Sequence, residues 1–162
     1  MNPETEKTVL ILGLGNLLFT DEGVGVHVAQ RLLQMKLPAE VAVIDGGTGG
    51  YELIEHVRGK SKVVIIDCLN ANAPPGSIVR LSLEELALRQ PHPFSAHQGG
   101  VGEFLAFLKT LVPAPEVVVY GVVPDIVDQL GMELSPAVET QFSKIVSTII
   151  DELSAKTAAP PA

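Results

Sequence analysis

The sequence predicts a single-domain α/β three-layer sandwich: a mixed, mostly parallel five-stranded sheet with helices on both faces. Three observations predict it. Residues 9–12 and 63–66, and the strand 116–123 after its opening Glu116, are apolar runs without alternation, the pattern of strands covered on both faces, as in parallel sheets. Between such runs the apolar period lengthens to three or four residues, which suits helices packed by one face. The two kinds of segment alternate along 162 residues that are 46% hydrophobic and 19% charged, a length and composition for one domain with its own core.

Residues 9–12 make the first strand, and Gly13 and Gly15 turn the chain. From about Glu22 the pattern is helical, with Val24, Val28, Leu32 and Met35 on one face and Pro38 at the exit. Residues 41–44 form the second strand, broken by Asp-Gly-Gly-Thr-Gly-Gly at 45–50. Tyr51, Ile54 and Val57 or Arg58 suit a short helix. The third strand, 63–66, ends in Asp67. The link to residue 77 is too short and too rich in proline for a crossover helix, so the fourth strand, 78–83, is expected to run antiparallel to the third. Ser82-Leu-Glu-Glu85 has capping-box spacing. Ser95-Ala-His-Gln98 repeats it before Val101, Phe104, Leu105 and Leu108. Residues 116–123 are the fifth strand. Ser135-Pro136 pairs an N-cap with a first-turn proline, and Val138, Phe142, Ile145, Ile149 and Leu153 carry the last helix. Nothing splits residues 1–153, and 154–162 read as a disordered tail.

Charge and cysteine content exclude several functions. Lys and Arg number 11 against 19 acids, a net charge of −8 with no basic cluster. A nucleic-acid binder needs the opposite. An acidic surface favours metal cations or a basic partner segment. Cys68 is the one cysteine, so there is no internal disulfide and no Cys-rich zinc site, and a reducing cytoplasm is the expected home. The first eight residues lack the apolar stretch of a signal peptide. No run approaches the ~20 residues of a membrane span. No helix carries a surplus apolar face, so a monomer is expected.

In open α/β sheets ligands bind beyond the carboxyl ends of the strands. That rule selects residues 13–22, 45–50, 67–70 and the loop after Pro124. Asp67 follows Val-Val-Ile-Ile directly, as a turn residue or as a carboxylate held at the sheet edge. Glu22 stands in a glycine-flanked stretch, as a first-turn acid on the helix dipole or as a functional group, and Asp21 competes for either role. Gly23 and Gly25 signal a close backbone approach. His97 falls at a helix start, whose positive end favours a neutral imidazole able to bind a metal. His27 and His56 lie in helices away from acidic clusters; His92 sits in a proline-flanked loop. Together Glu22, Asp67 and His97 supply two oxygens and a nitrogen, a set for a borderline divalent ion with open positions. The strand-end rule brings Glu22 and Asp67 to one edge and says less about His97. Cys68, next along the strand from Asp67, should point the other way, into the core.

Ile11-Leu-Gly-Leu-Gly-Asn16, Asp21-Glu-Gly-Val-Gly25, Val43-Ile-Asp-Gly-Gly-Thr48, Ile66-Asp67, Pro75-Gly76, Ser95-Ala-His97 and Gly121-Val-Val-Pro124 occur in that order. The ordered set resembles the maturation endopeptidases of nickel-iron hydrogenases, from about Val9 to Leu153. The resemblance implies an enzyme that trims a C-terminal peptide from the hydrogenase large-subunit precursor once nickel is in place. It maps the family's metal-contacting acid, strand-end Asp and His onto Glu22, Asp67 and His97, as both metal and catalytic residues. Some members carry Asp at the first of these positions, so Glu22 narrows the subgroup. Residues 45–48 are implied to shape the cleft. The implied metal is nickel carried by the substrate, and the same donors admit other divalent ions.

There is no Gly-x-Ser-x-Gly elbow and no His-Glu-x-x-His zinc motif. Nickel bridged by the three residues would hold the scissile bond, with the metal polarising its carbonyl or a water. Three rivals remain. A dinucleotide fold needs a third glycine where Leu18 stands, and Asp21 and Glu22 would repel a pyrophosphate. A peptidyl-tRNA hydrolase shares Gly-Leu-Gly-Asn, but not the Pro-Gly that follows it there. A nickel-checking chaperone would use the same site without cutting.

Overall fold

The computed structural model of the chain describes residues 7–89 and 99–155. Its five strands are β1 (Val9–Leu14), β2 (Val41–Gly47), β3 (Lys62–Cys68), β4 (Ile78–Ser82) and β5 (Glu116–Val122). They form one sheet in the order β2-β1-β3-β5-β4. β1 pairs in parallel with β2 and β3, and β3 in parallel with β5. β4 is antiparallel to β5. The fourth strand thus runs opposite to the third, as the short link requires, but β5 lies between them. The link crosses the end of β5 and bonds to it on the way: Leu69 N–H donates to Val122 O at 3.0 Å and Gly76 N–H to Val123 O at 2.8 Å. Two strand spacings are about 10 Å, well within its reach.

Helices cover both faces. α1 (Val24–Leu33) and α5 (Pro136–Ser154) close one core with Ile11, Val64 and Ile66; α2 (Ile54–Val57), α3 (Leu83–Ala87) and α4 (Gly99–Leu108) close the other with Leu10, Leu12 and Ile65. Neighbouring strand residues therefore enter different cores, which is why the runs do not alternate.

The caps follow the sequence closely. Ser82 Oγ accepts from Glu85 N–H at 3.1 Å, and Glu85 Oε2 accepts from Ser82 N–H at 2.7 Å, a complete capping box. Ser135 caps α5, with Pro136 in its first turn. α1 is shorter than its periodicity: it ends at Leu33, and Met35 is 36% exposed rather than in the core. α5 continues through Ser154, one residue into the segment read as tail. The second capping spacing, residues 95–98, lies outside the described residues. No described helix is long and apolar enough to cross a membrane.

Candidate functional site

The carboxyl end of the sheet is assembled by two close backbone approaches. Gly15, at φ +143°, lies under the carbonyl of Glu22; a Cβ there would stand 1.9 Å from that oxygen. Asn16 N–H donates to the same oxygen at 3.1 Å, so residues 16–22 fold back over the end of β1. One turn on, Gly25 lies against β1 and β3, where a Cβ would be 2.2 Å from both Leu14 O and Ile66 O. Ile66 precedes Asp67. The backbone that carries Glu22 is therefore seated across the strand end that carries Asp67. Both are buried, at 3% and 0% exposure. The closeness that Gly25 signalled is with these strand ends, and that of Gly23 is with Asn16 and Leu17 of the loop.

The adjacent acids Asp21 and Glu22 separate cleanly. Both lie in a 3₁₀ turn, Thr20–Gly23. Asp21 is fully enclosed and accepts four hydrogen bonds: from Asp125 N–H and Ile126 N–H at 2.9 Å each, Ser135 N–H at 2.8 Å and Ser135 Oγ at 2.7 Å. It ties the turn to the 125–135 loop, with three of the four bonds on Oδ2 and one on Oδ1. Glu22 makes no hydrogen bond or ion pair through its carboxylate among the described residues. Thr20, just before, sits at φ +47°, a strained conformation for a β-branched residue. It is held there by Thr20 N–H to Gly131 O at 2.7 Å and Thr20 Oγ1 to Gln129 O at 2.9 Å.

Asp67 ends β3 with its Oδ1 accepting from Cys68 N–H at 2.7 Å, which fixes the carboxylate at the strand exit. Cys68 points into the α1–α5 core and is 3% exposed. Burial, and after it the negative charges of Asp67, Glu22 and Asp21, push its thiol far above the ordinary range. A thiol held protonated this way is no nucleophile. The same three charges reach one sulfur, a further sign that the acids share a neighbourhood.

Residues 45–50 form the adjacent rim. Asp45 Oδ1 accepts from Gly47 N–H and its Oδ2 from Gln30 Nε2, both at 3.1 Å, while Gly15 N–H donates to Gly47 O at 2.9 Å. The loop is thereby stitched to the turn that carries Glu22. His56 is exposed on α2. His27, on α1, has its Nε2 buried without a hydrogen-bond partner among the described residues; it faces a cleft of about 550 Å³ with Arg31, Met132 and Phe142. His97 and His92 lie outside the described residues. Among the described residues no group of three His, Cys, Asp or Glu side chains could hold a metal; Glu22 and Asp67 offer two carboxylates at this end of the sheet. The pinning role of Asp21 was not resolved from sequence, because its partners lie 104 to 114 positions away and no local motif spans that distance.

A family model described as hydrogenase maturation protease (HycI) matches residues 26–152. A protein of Methanocaldococcus jannaschii, provisionally named a hydrogenase maturation protease, is 35% identical over 152 residues, covering 89% of this chain and 97% of that one. The hydrogenase maturating endopeptidase HybD of Escherichia coli superposes with a TM-score of 0.79 at 28% identity, covering 91% of this chain and 93% of that one. The [NiFe] hydrogenase maturation protease HybD of Thermococcus kodakarensis gives 0.72 at 33% identity, covering 93% and 99%.

Proposed function

The chain belongs to the hydrogenase maturation protease family, and from that membership we propose that it removes a C-terminal peptide from the nickel-loaded large-subunit precursor of a nickel-iron hydrogenase. One observation carries the reading. Two buried acids, Glu22 and Asp67, are carried by backbone seated on the same sheet end, and Glu22 has no partner among the described residues. Buried carboxylates in one neighbourhood call for a cation. The precursor's nickel is that cation in this reading, and His97 adds a nitrogen donor, which leaves coordination positions to the precursor itself.

Glu22 and Asp67 then hold the chain end so that the scissile bond stays beside them, which removes most of the positional freedom of the reaction. Water adds to the carbonyl carbon, a carboxylate within hydrogen-bond reach accepts its proton, and the C–N bond breaks as the amine leaves protonated. Cys68, buried and protonated, takes no part.

The test mixes the purified protein with nickel-loaded and nickel-free precursor and follows mass. Loss of a C-terminal peptide from the loaded form alone is expected. Glu22→Gln, Asp67→Asn and His97→Ala should each lower trimming by at least about 100-fold while the thermal midpoint stays within a few degrees. Normal trimming by all three would overturn the site assignment. Binding of loaded precursor without mass loss would replace the protease with a nickel-checking chaperone.

A further inference from the structure

We propose that the precursor docks on an apolar ridge beside Glu22, through a segment carrying apolar side chains flanked by lysine or arginine. The proposal rests on the function above for the identity of the partner; the surface is read from the fold.

The ridge is made by two segments stitched by their backbones. Gly131 N–H donates to Leu18 O at 2.9 Å, and Gly131 O accepts from Thr20 N–H at 2.7 Å, so Phe19 and Gly131 form a parallel bridge. Leu18 is 55% exposed, Leu130 79% and Met132 62%. Three large apolar side chains are thus held in water by a rigid turn that needs none of them for its own hydrogen bonds. An apolar patch fixed in this way marks an interaction surface. It is also continuous with the candidate site: the turn that carries Glu22 begins at Thr20.

The charge around the ridge selects the partner. The loops at the carboxyl end of the sheet, 15–23, 45–53, 69–77 and 123–135, contain no lysine or arginine. They expose Asp45, Glu52, Asp125, Asp128 and Glu133. Lys36, Arg58, Lys60 and Lys109 lie toward the other end. The cations that border the loops come from other elements: Arg31 of α1 lines a cleft with Met132 and Glu133, and Arg80 and Lys144 line one with Pro74 to Ser77. A one-signed rim around an apolar patch attracts a basic segment and repels an acidic one, with an effect that salt weakens. An apolar segment without positive flanks would gain nothing from this rim.

The experiment measures precursor trimming and, separately, precursor binding by calorimetry, on the full chain. Leu130→Ser with Met132→Ser changes only exposed side chains. It should raise KM by at least about tenfold with kcat altered less than about twofold. Asp128→Asn with Glu133→Gln should flatten the rise in KM that the wild type shows between about 50 and about 300 mM salt. Val112→Ser, 95% exposed at the opposite end of the sheet, is the control and should leave KM unchanged. A KM within about twofold of wild type in both double variants would overturn the docking surface, as would a wild-type KM insensitive to salt. If the wild type binds precursor but never shortens it, the protease reading fails alone, and weaker binding by the double variants still supports the ridge.

Discussion

Asp21 shows how much a single carboxylate can hold when it accepts four hydrogen bonds. Its four donors come from residues 125, 126 and 135, and the two from Ser135 are buried. Asn at this position would turn an N–H pair toward groups that are themselves donors. Asp21→Asn should therefore cost roughly 2–4 kcal/mol, read as a lower urea midpoint, and should slow trimming as well, because the turn that presents Glu22 loses its anchor. Gly25 makes the complementary point about space. With two carbonyl oxygens 2.2 Å from any Cβ, Gly25→Ala must push α1 off the strand ends; a loss of about 3 kcal/mol or more is expected in thermal unfolding. A variant as stable as wild type would show that the seam yields.

At the level of elements, α5 is fastened to the sheet by charge as well as by its apolar face. Glu152, on its last turns, accepts from Lys62 Nζ at 2.6 Å, from Arg80 Nε at 3.1 Å and Nη2 at 3.0 Å, and from the Tyr120 hydroxyl at 2.5 Å. One side chain thus links β3, β4 and β5 to the helix. Lys62, only 3% exposed, also lies 3.5 Å from Glu116. Burial pushes the Glu152 carboxyl up, but the hydrogen bonds from Arg80, Lys62 and Tyr120 outweigh it and hold the group at about 2, below its ordinary 4.5. Burial and the bond to Glu152 push the Tyr120 hydroxyl up to about 12, so it remains a donor at neutral pH. Because the folded-state value of Glu152 is depressed, its contribution is complete above about pH 4.5 and is lost as pH falls toward about 2. Glu152→Gln should cost roughly 1–3 kcal/mol at neutral pH, less than a sealed ion pair because Arg80 is half exposed. It should also flatten the acid limb of the stability curve. Urea midpoints of both proteins at neutral pH and near pH 3 check this; parallel acid limbs would dismiss the network as a source of stability.

For the whole molecule, what was legible in sequence follows the range of the forces involved. β1, β3 and β5 could be read because each strand is buried on both faces and its residues say so locally. The cap of α3 could be read because Ser82 and Glu85 are three residues apart. The place of β4 could not: the Pro-rich link dictated its direction, but the insertion of β5 between it and β3 is decided by residues 40 positions later. Met35 continued a helical period that α1 does not use, since Gln34 and Met35 hydrogen-bond back to Arg31 and Leu32 as the chain leaves the helix. In the candidate site, Glu22 and Asp67 were visible as acids beside strand ends. That Asp21 is the anchor and Glu22 the one without a partner among the described residues was invisible, because nothing within a turn of either distinguishes them. Lys62 is similar: its partner Glu152 is 90 positions away, and its place at the start of an apolar strand was the one hint available.

Asp21 grips the 125–135 loop almost wholly by main-chain N–H groups, and the bridge between Phe19 and Gly131 is main chain too. The path of that loop is thus indifferent to most of its own side chains. Between Val127 and Leu134, which reach into the core, the outward positions 128, 129, 130, 132 and 133 can be rewritten without moving the frame. On the docking proposed above, the loop is a replaceable reading head on a constant mount. Exchanging those five positions with those of a relative should transfer preference between precursors while the unfolding midpoint barely moves, a separation that competition between two precursors in one tube would measure.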